Sequence, residues 1–224
     1  VLTSRIAYII KQHKAFPNQI LAVTFTNKAA KEMQIRVSKL LRKEATGLPW
    51  LGTFHSISAK LLRKHADAVG LKSNFTIIDQ NDQERLIKNI CKAENVDTKK
   101  ISPKYILAVI DKWKNKGLYP GDVILKKNNP LEKNFLEIYK IYQKKLTDLN
   151  ATDFSDLILH VVKIFEKYSD ISELYSRKFK YILVDEYQDT NFIQSEWLKH
   201  LSQYNKNICC VGDDDQSIYS WRGA

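Results

Sequence analysis

The chain has 224 residues, of which 44% are hydrophobic and 27% are charged, and its formal net charge is +11. A hydrophobic content this high excludes an intrinsically disordered chain. The sequence contains no apolar run of about 18 residues, so no transmembrane helix is predicted. Three cysteines are too few to indicate a disulfide-stabilised scaffold.

The positive charge is concentrated in the first two-thirds of the chain. Lys and Arg outnumber Asp and Glu by 13 to 4 in residues 1–80 and by 15 to 9 in residues 81–150, whereas residues 151–224 contain 8 basic and 12 acidic residues. A basic surface favours salt-sensitive binding to DNA phosphates, and an acidic region suits a divalent metal ion. A charged surface that only maintains solubility is the alternative.

Residues 1–80 alternate between helical and strand patterns. Asn27 is expected to cap the second predicted helix, and Gly70 is expected to end the third. Apolar spacing predicts helices over residues 2–10, 28–42 and 55–69, and short apolar runs predict strands over residues 20–25, 50–54 and 75–78.

Residues 81–150 differ from the rest, because they are rich in Lys and carry no strong strand signal. This segment is predicted to be an all-helical insertion, and a plain helical appendage is the alternative. Helices are predicted over residues 82–93, 102–116 and 131–149, with chain-breaking segments at 115–121 and 128–130.

The strand–helix alternation resumes after residue 150. Strands that alternate with helices imply an α/β fold with a parallel sheet, formed here by residues 1–80 and 151–224. Helices are predicted over residues 154–168, 171–177 and 192–202, and buried strands over residues 181–184 and 208–211.

Two carboxylates, Asp185 and Glu186, directly follow the apolar strand at residues 181–184. Ligands of open α/β sheets bind at the carboxyl ends of the strands, and in nucleotide hydrolases an Asp there holds the Mg²⁺ of the bound nucleotide. An adjacent Glu can take a proton from the attacking water. The alternative is a strand followed by an ordinary polar turn.

A polar loop follows the strand at residues 208–211. Gln216 is expected near the same crevice as the two carboxylates, where an amide can sense a phosphate. Tyr219, Trp221 and Arg222 come next and could stack on nucleic-acid bases, although the aromatic rings could instead close a core.

Phe25, Thr26 and Asn27 lie where the first predicted strand passes into a helix. An aromatic ring beside helix N-terminal amides can stack on a base while the amides hold a phosphate, so these residues are candidates for binding single-stranded DNA. A core position for Phe25 is the alternative.

Four blocks of this sequence resemble motifs of the superfamily-1 DNA helicases of the UvrD/PcrA/Rep family. Residues 21–33 (LAVTFTNKAAKEM) resemble motif Ia, and residues 52–56 (GTFHS) resemble motif Ib. Residues 184–190 (VDEYQDT) resemble motif II, and residues 211–224 (VGDDDQSIYSWRGA) resemble motif III. The blocks stand in the family's order and spacing, so the resemblance covers the chain from end to end.

The resemblance implies a RecA-like motor domain with a helical subdomain that helps to bind duplex DNA. It implies ATP and Mg²⁺ as cofactors, with Asp185 on the metal through water, Glu186 as the general base and Gln216 as the γ-phosphate sensor. Thr53, His55 and Ser56 of motif Ib are then candidate contacts to the DNA backbone.

The resemblance also implies a 3′-to-5′ DNA helicase of DNA repair or replication, acting on single strands and their junctions with duplex. It implies a cytoplasmic, nucleoid-associated protein with no membrane partner, whose repair partners are unknown. A helicase–nuclease of the RecB/AddA kind, which shares these motifs, is an alternative.

The family's phosphate-binding P-loop, G-x-x-x-x-G-K-[ST], is not found in this sequence. Residues 47–52 (GLPWLG) have the glycine spacing, but Thr53 and Phe54 follow instead of Lys and Ser or Thr. The chain is therefore expected to be an internal fragment of a longer helicase, inactive as an ATPase by itself. A DNA-binding remnant without a motor is the other alternative.

Overall fold

The computed structural model describes residues 1–41, 47–96, 101–125 and 130–217. Contacts divide the chain into two compact units, residues 1–60 with 162–224 and residues 61–161. In the described residues no helix is both long and apolar enough to cross a membrane.

In chain order the elements are α1 (Leu2–Lys11), β1 (Ile20–Thr24), α2 (Asn27–Leu41), β2 (Leu51–Thr53), α3 (Phe54–Lys64), β3 (Thr76–Ile77), α4 (Gln80–Ala93), α5 (Pro103–Asn115), α6 (Pro130–Asp148), β4 (Ala151–Thr152), α7 (Phe154–Lys167), α8 (Ser169–Lys178), β5 (Tyr181–Val184), α9 (Phe192–Ser202) and β6 (Ile208–Cys210).

The first unit is built on a four-stranded sheet in the order β2-β1-β5-β6, and every neighbouring pair is parallel. Ala22 of β1 lies opposite Leu51 on one side and Leu183 on the other. All five residues of β1 are buried, and residues 20–23 are continuously apolar rather than alternating, as expected of a strand that is covered on both faces. This confirms the predicted α/β fold with a parallel sheet and flanking helices.

Helices cover the sheet with apolar side chains at helical spacing. Residues of α1 and α2, including Ile6, Met33 and Val37, form a core cluster with Ile20 and Leu183 of the sheet. Aromatic rings add a second set of contacts: the rings of Phe54 and Trp197 meet edge to face at 5.6 Å, and those of Trp50 and Phe179 at 5.2 Å.

A strand forms at Ile208–Cys210, close to the predicted range 208–211, but the prediction that it is buried is wrong. Ile208 is 40% exposed, Cys209 is half-buried and Cys210 is exposed. The reason is position, since β6 is the last strand on its side of the described sheet and β5 covers only one of its edges.

Helix α2 is capped by a different residue from the one predicted. The Thr26 hydroxyl accepts a hydrogen bond from the Ala29 amide at 3.1 Å, and Asn27 is already the first helical residue. Both residue types favour the N-cap position, so the local sequence did not decide between them. The predicted end of the third helix is also wrong, because α3 ends at Lys64. Gly70, with φ +76°, instead ends the separate 3₁₀ turn at Ala66–Val69.

The second unit has a helical core made by α4, α5 and α6. Ile87, Ile106, Ile110, Phe135 and Tyr139 are among its buried residues. It also contains a short parallel pair, β3 with β4, in which Thr76 lies opposite Ala151. The sequence did not predict β4, because two residues carry no periodicity. The predicted insertion, residues 81–150, lies inside this unit, which also includes residues 61–80 and 151–161.

Candidate active site at the carboxyl edge of the sheet

The carboxyl ends of the four parallel strands bring the predicted site segments to one edge of the sheet. The strand ladder continues one residue past each end, because the Asp185 amide donates to the Val23 carbonyl at 3.0 Å and the Val211 amide donates to the Val184 carbonyl at 2.9 Å. The segments after β1, β5 and β6 therefore leave the sheet side by side. This is the edge at which open α/β sheets bind ligands.

Asp185 and Glu186 form an acidic pair directly after β5. Within the described part of the chain, no Lys, Arg or His side chain makes an ion pair with either carboxylate. Burial raises the pKa of Asp185, and the charge of Glu186 raises it further, while a backbone hydrogen bond and the amino group of Val1 act in the opposite direction. A bound cation would relieve this repulsion.

Glu186 has a left-handed backbone, with φ +54° and ψ +44°. This region is uncommon for residues other than Gly, Asn and Asp, and such conformations concentrate at functional sites. At Glu186 the chain turns sharply away from the direction of β5, and a short 3₁₀ turn at Tyr187–Asp189 follows. The turn returns the chain to β6, where the Tyr187 amide donates to the Val211 carbonyl at 3.0 Å.

Gln188 is a residue of this site that the sequence reasoning missed. Its Nε2 donates to Glu186 Oε2 at 2.6 Å, and its Oε1 accepts from the Asp213 amide at 3.1 Å. The signal available in the sequence was an amide two residues after the acidic pair. Nothing local showed that this amide reaches the loop after β6, since that loop is 25 residues away along the chain.

Gln216 lies in the exposed loop after β6, at the end of a short 3₁₀ turn. Its Nε2 donates to Asp213 Oδ2 at 2.6 Å. The structure therefore connects Gln216 to the acidic pair through Asp213 and Gln188, rather than leaving it as an isolated loop residue. Tyr219, Trp221 and Arg222 lie outside the described residues.

The segment after β1 presents Phe25, Thr26 and Asn27 at the same edge. Phe25 is half-buried, whereas Thr26 and Asn27 are exposed. The Thr26 cap fixes the first turn of α2 directly beyond the strand. Its position leaves the N-terminal end of that helix at the strand edge, where unpaired amides attract anions.

The segment after β2 holds the other predicted DNA contacts, Thr53, His55 and Ser56. The hydroxyls of Thr53 and Ser56 cap each other's amides, with Ser56 Oγ accepting from the Thr53 amide at 2.9 Å and Thr53 Oγ1 accepting from the Ser56 amide at 3.2 Å. Thr53 is only 7% exposed, so its hydroxyl serves the turn. His55 is half-buried and Ser56 is exposed.

The second unit contains another pair of carboxylates, and these are neutralised internally. Lys114 is fully buried, and its Nζ lies 2.6 Å from Asp153 Oδ2 and 2.8 Å from Asp156 Oδ1. The Tyr142 hydroxyl donates to Asp153 Oδ2 at 2.9 Å, and Gln143 Nε2 donates to Asp156 Oδ2 at 3.1 Å. Buried charges with this many partners form a structural network.

The pKa shifts in this network follow from the same contacts. Burial alone would lower the pKa of Lys114, but the charges of Asp153 and Asp156 raise it above its ordinary value. Burial alone would raise the pKa of Asp156, but Lys114 lowers it. His160, which hydrogen-bonds to the Tyr119 hydroxyl, has a pKa lowered by burial. Lys114 and Asp156 are therefore charged at neutral pH.

Comparison with known proteins gives one consistent family. The family model described as "UvrD/REP helicase N-terminal domain" matches residues 1–224. A probable DNA helicase II homolog of Rickettsia conorii is 51% identical over 227 residues, and DNA helicase II of Rickettsia typhi is 50% identical over 228 residues. The ATP-dependent DNA helicase PcrA of Staphylococcus epidermidis is 46% identical over 224 residues.

Each of these matches covers 100% of this chain, but the chain covers only 34% of the Rickettsia proteins and 31% of the Staphylococcus protein. The chain thus spans about a third of the length of the curated relatives it matches. The motifs, the parallel sheet and these identities agree from end to end, and the chain belongs to the UvrD/REP helicase family, matching its N-terminal domain.

Proposed function

We propose that residues 1–224 are the ATP-binding motor part of an ATP-dependent DNA helicase. The observation that carries this proposal is the pair Asp185 and Glu186 at the carboxyl end of a central parallel strand, without a side-chain cation in the described residues and hydrogen-bonded towards the loop that bears Gln216. The similar protein of Staphylococcus epidermidis is the ATP-dependent DNA helicase PcrA, which supports the same function.

The residues present fit a magnesium nucleotide better than a metal held by protein alone. The described residues contain no group of three or more His, Cys, Asp or Glu side chains that could hold a metal ion. Mg²⁺ keeps several waters and commonly takes one or two carboxylates plus phosphate oxygens, so one strand-end Asp is a sufficient protein ligand. When bound, Mg²⁺ neutralises charge on the phosphate oxygens.

Each residue of the acidic edge has a role in this proposal. Asp185 would hold the metal ion through water, and Glu186 accepts a proton from the water that attacks the γ-phosphorus in line. The bond from the γ-phosphorus to its bridging oxygen breaks, and ADP leaves. Gln216 contacts the γ-phosphate and reports its loss to the DNA-binding residues. Positioning and electrostatics supply most of the rate in such reactions.

Single-stranded DNA is proposed to cross the same edge of the sheet. Phe25 stacks on a base, while Thr26 and Asn27 present the start of α2 to a phosphate. His55 and Ser56 contact the backbone, and Thr53 holds their turn in place. By their position in the sequence, Tyr219, Trp221 and Arg222 extend this track.

The finer parts of the proposal rest on the family. The helicase moves 3′ to 5′ along single strands and unwinds duplex ahead of it, in DNA repair or replication in the bacterial cytoplasm. The helical segment at residues 81–150 is the inserted subdomain that helps to bind duplex at single-strand junctions. Residues 1–224 alone should hydrolyse ATP poorly, because the sequence carries no P-loop.

The test uses the full gene product that contains these residues, with ATP, Mg²⁺ and single-stranded DNA. Glu186→Gln should lower DNA-stimulated ATP turnover by about 10²–10⁴-fold, the usual contribution of a general base, while ATP binding persists. The control is Asp170→Asn, which changes an exposed acid on α8, away from the carboxyl edge. Duplexes with a 3′ tail should be unwound in preference to duplexes with a 5′ tail.

Three outcomes would change the proposal. Full turnover by the Glu186→Gln variant would remove Glu186 from the mechanism. DNA binding without any ATP turnover by the unaltered protein would favour a DNA-binding remnant. Cleavage of the DNA strands during unwinding would favour a helicase–nuclease.

A further inference from the structure

Gln188 occupies a position between the acidic pair and the loop after β6. Its carboxamide nitrogen lies 2.6 Å from Glu186 Oε2, and its carboxamide oxygen lies 3.1 Å from the Asp213 amide nitrogen. Both hydrogen bonds are made by one planar group, so the position of the Glu186 carboxylate is tied to the position of the loop.

The chemistry of the two partners fixes the orientation of the amide. An ionised carboxylate can only accept a hydrogen bond, and a backbone amide can only donate one. The oxygen of Gln188 must therefore face Asp213, and its nitrogen must face Glu186. Glutamate would lose the donor, lysine would lose the acceptor, and methionine of similar size would lose both.

Gly212 shows how closely the loop approaches Gln188. A Cβ atom added at residue 212 would lie 2.5 Å from Gln188 Oε1, 3.1 Å from the Gln188 backbone nitrogen and 3.2 Å from the Tyr187 backbone nitrogen. Contacts this short require a shift of the neighbouring atoms, and the carboxamide is the closest of them. The glycine at 212 is therefore needed for Gln188 to reach both of its partners.

The hydrogen bonds continue from Asp213 to the predicted phosphate sensor. The Asp213 carboxylate accepts from Gln216 Nε2 at 2.6 Å and from the Asp215 amide at 3.1 Å. A continuous path thus runs from Glu186 through Gln188 and Asp213 to Gln216. Glu186 depends on this support, since its left-handed backbone leaves its side chain on a short, strained turn.

We propose that Gln188 is a positioning residue that holds the Glu186 carboxylate for proton transfer and couples its orientation to the loop bearing Gln216. The proposal rests on the proposed ATPase function. When the loop shifts as Gln216 gains or loses its phosphate contact, the Asp213 amide moves the Gln188 carboxamide, and Glu186 follows. Gln188 itself touches neither the phosphate nor the water.

The kinetic test compares Gln188→Met and Gln188→Glu with the unaltered full gene product at saturating single-stranded DNA. Loss of a hydrogen bond to a charged group should lower kcat about 10- to 100-fold, while KM for ATP and Kd for DNA stay within about twofold. The control Gln203→Met changes an exposed glutamine after α9 and should leave all three constants unchanged.

A second readout needs neither ATP nor turnover. Hydrogen exchange of the Asp213 amide should accelerate in Gln188→Met, which lacks an acceptor, and stay slow in Gln188→Glu, which retains one. Gly212→Ala as a single substitution should lower kcat. Added to Gln188→Met it should lower kcat much less, because the carboxamide that the new Cβ would displace is already absent. A purely structural role would not produce this coupling in kcat.

The outcomes separate the two proposals. If Glu186→Gln abolishes turnover but Gln188→Met keeps kcat within about twofold of the unaltered value, the positioning role of Gln188 is overturned while the ATPase function stands. If Glu186→Gln retains full turnover, Glu186 is not the general base and the positioning role of Gln188 falls with it. If the unaltered protein shows no ATP turnover, the ATPase function itself fails. Should Gln188→Met not fold, kcat in Gln188→Glu decides, and unchanged kcat there overturns the role.

Discussion

The two pairs of carboxylates in this chain have opposite environments. In the second unit, Asp153 and Asp156 share one buried cation, Lys114, and they accept further hydrogen bonds from Tyr142 and Gln143. In the first unit, Asp185 and Glu186 have no side-chain cation among the described residues, and the pKa of Asp185 is raised by burial and by Glu186. Asp153 and Asp156 are therefore neutralised within the chain, whereas Asp185 and Glu186 have no side-chain counter-charge among the described residues.

This difference separates structural from functional acids better than sequence does. Both pairs stand beside the end of a strand, and both would suit a polar turn. A buried charge must find a partner inside the protein, since desolvation without one costs several kcal/mol. A pair that is left at a strand end without such a partner is suited to an external cation. The internal cation, rather than the acids themselves, is the distinguishing feature.

The largest expected effect comes from removing the internal cation. Lys114→Met should lower the free energy of unfolding by about 3–5 kcal/mol, because it leaves two buried carboxylates without their counter-charge. Chemical denaturation at pH 7, followed by tryptophan fluorescence, measures the change. Lys112→Met is the matched control, since Lys112 is exposed on the same helix, α5, and its removal should change stability little.

If Lys114→Met lowers the free energy of unfolding by less than about 1 kcal/mol, the contrast between the two acidic pairs does not hold, because even surface ion pairs contribute that much. It would mean that Asp153 and Asp156 do not depend on the cation, and that an unpaired acidic pair is not by itself a functional signal in this protein.

Asp111 gives the second prediction, which depends on pH. Burial, and then the charge of Asp153, raises its pKa to about 6, while Lys114 and the Ser155 hydroxyl act in the opposite direction. Because the folded pKa lies above the ordinary value of 3.8, folding favours the protonated acid. That contribution to stability is fully present below about pH 4 and is lost as the pH rises through about 6.

Asp111→Asn should therefore stabilise the protein above pH 6, by at most about 3 kcal/mol, and have little effect below pH 4. The Asn side chain can still accept from the Ser155 hydroxyl, which lies 3.0 Å from Asp111 Oδ1. Paired denaturation curves at pH 4, 5, 6 and 7.5 measure the difference. A constant difference across this range would show that Asp111 does not titrate as its surroundings indicate.

Local signals in the sequence predicted most of the elements of the fold. The strand at residues 181–184 and the helix at residues 192–202 have the predicted ends, because an apolar run followed by acids and apolar residues at helical spacing are strong local signals. The burial of β6 was not predictable, since it depends on which strands lie beside it. Thr26 and Asn27 are equally good caps, so only the structure distinguished them.

The missed parts of the site share a physical cause. Gln188 acts through a contact with Asp213, and Lys114 through a contact with Asp153 that is 39 residues away along the chain. Each residue looks ordinary in its own segment, as an amide in a turn or a lysine near a helix end. Hydrogen bonds between distant segments leave no periodicity, so neither role could be read from one sequence.

The smallest expected effect concerns DNA binding at the carboxyl edge of the sheet. Residues of the proposed DNA track are expected to change binding more than stability, and the half-buried Phe25 is the residue of that track proposed to stack on a base that the structure describes. Phe25→Ala should weaken binding to an oligothymidine by about 1–3 kcal/mol, the usual contribution of a base stacked on an aromatic ring. Fluorescence anisotropy with a labelled oligonucleotide, repeated at two salt concentrations, measures this loss.

Phe16→Ala is the control for Phe25→Ala, because Phe16 is 72% exposed and precedes β1, at the opposite edge of the sheet. A ring that stacks on a base contributes little to salt dependence, so Phe25→Ala should lower affinity equally at both salt concentrations, whereas loss of a phosphate contact would also reduce the salt slope. Unchanged affinity in both variants would remove Phe25 from the DNA track. An equal loss of affinity in both variants would point to nonspecific binding by exposed aromatic rings, and the carboxyl edge of the sheet would then not be the specific DNA-binding surface.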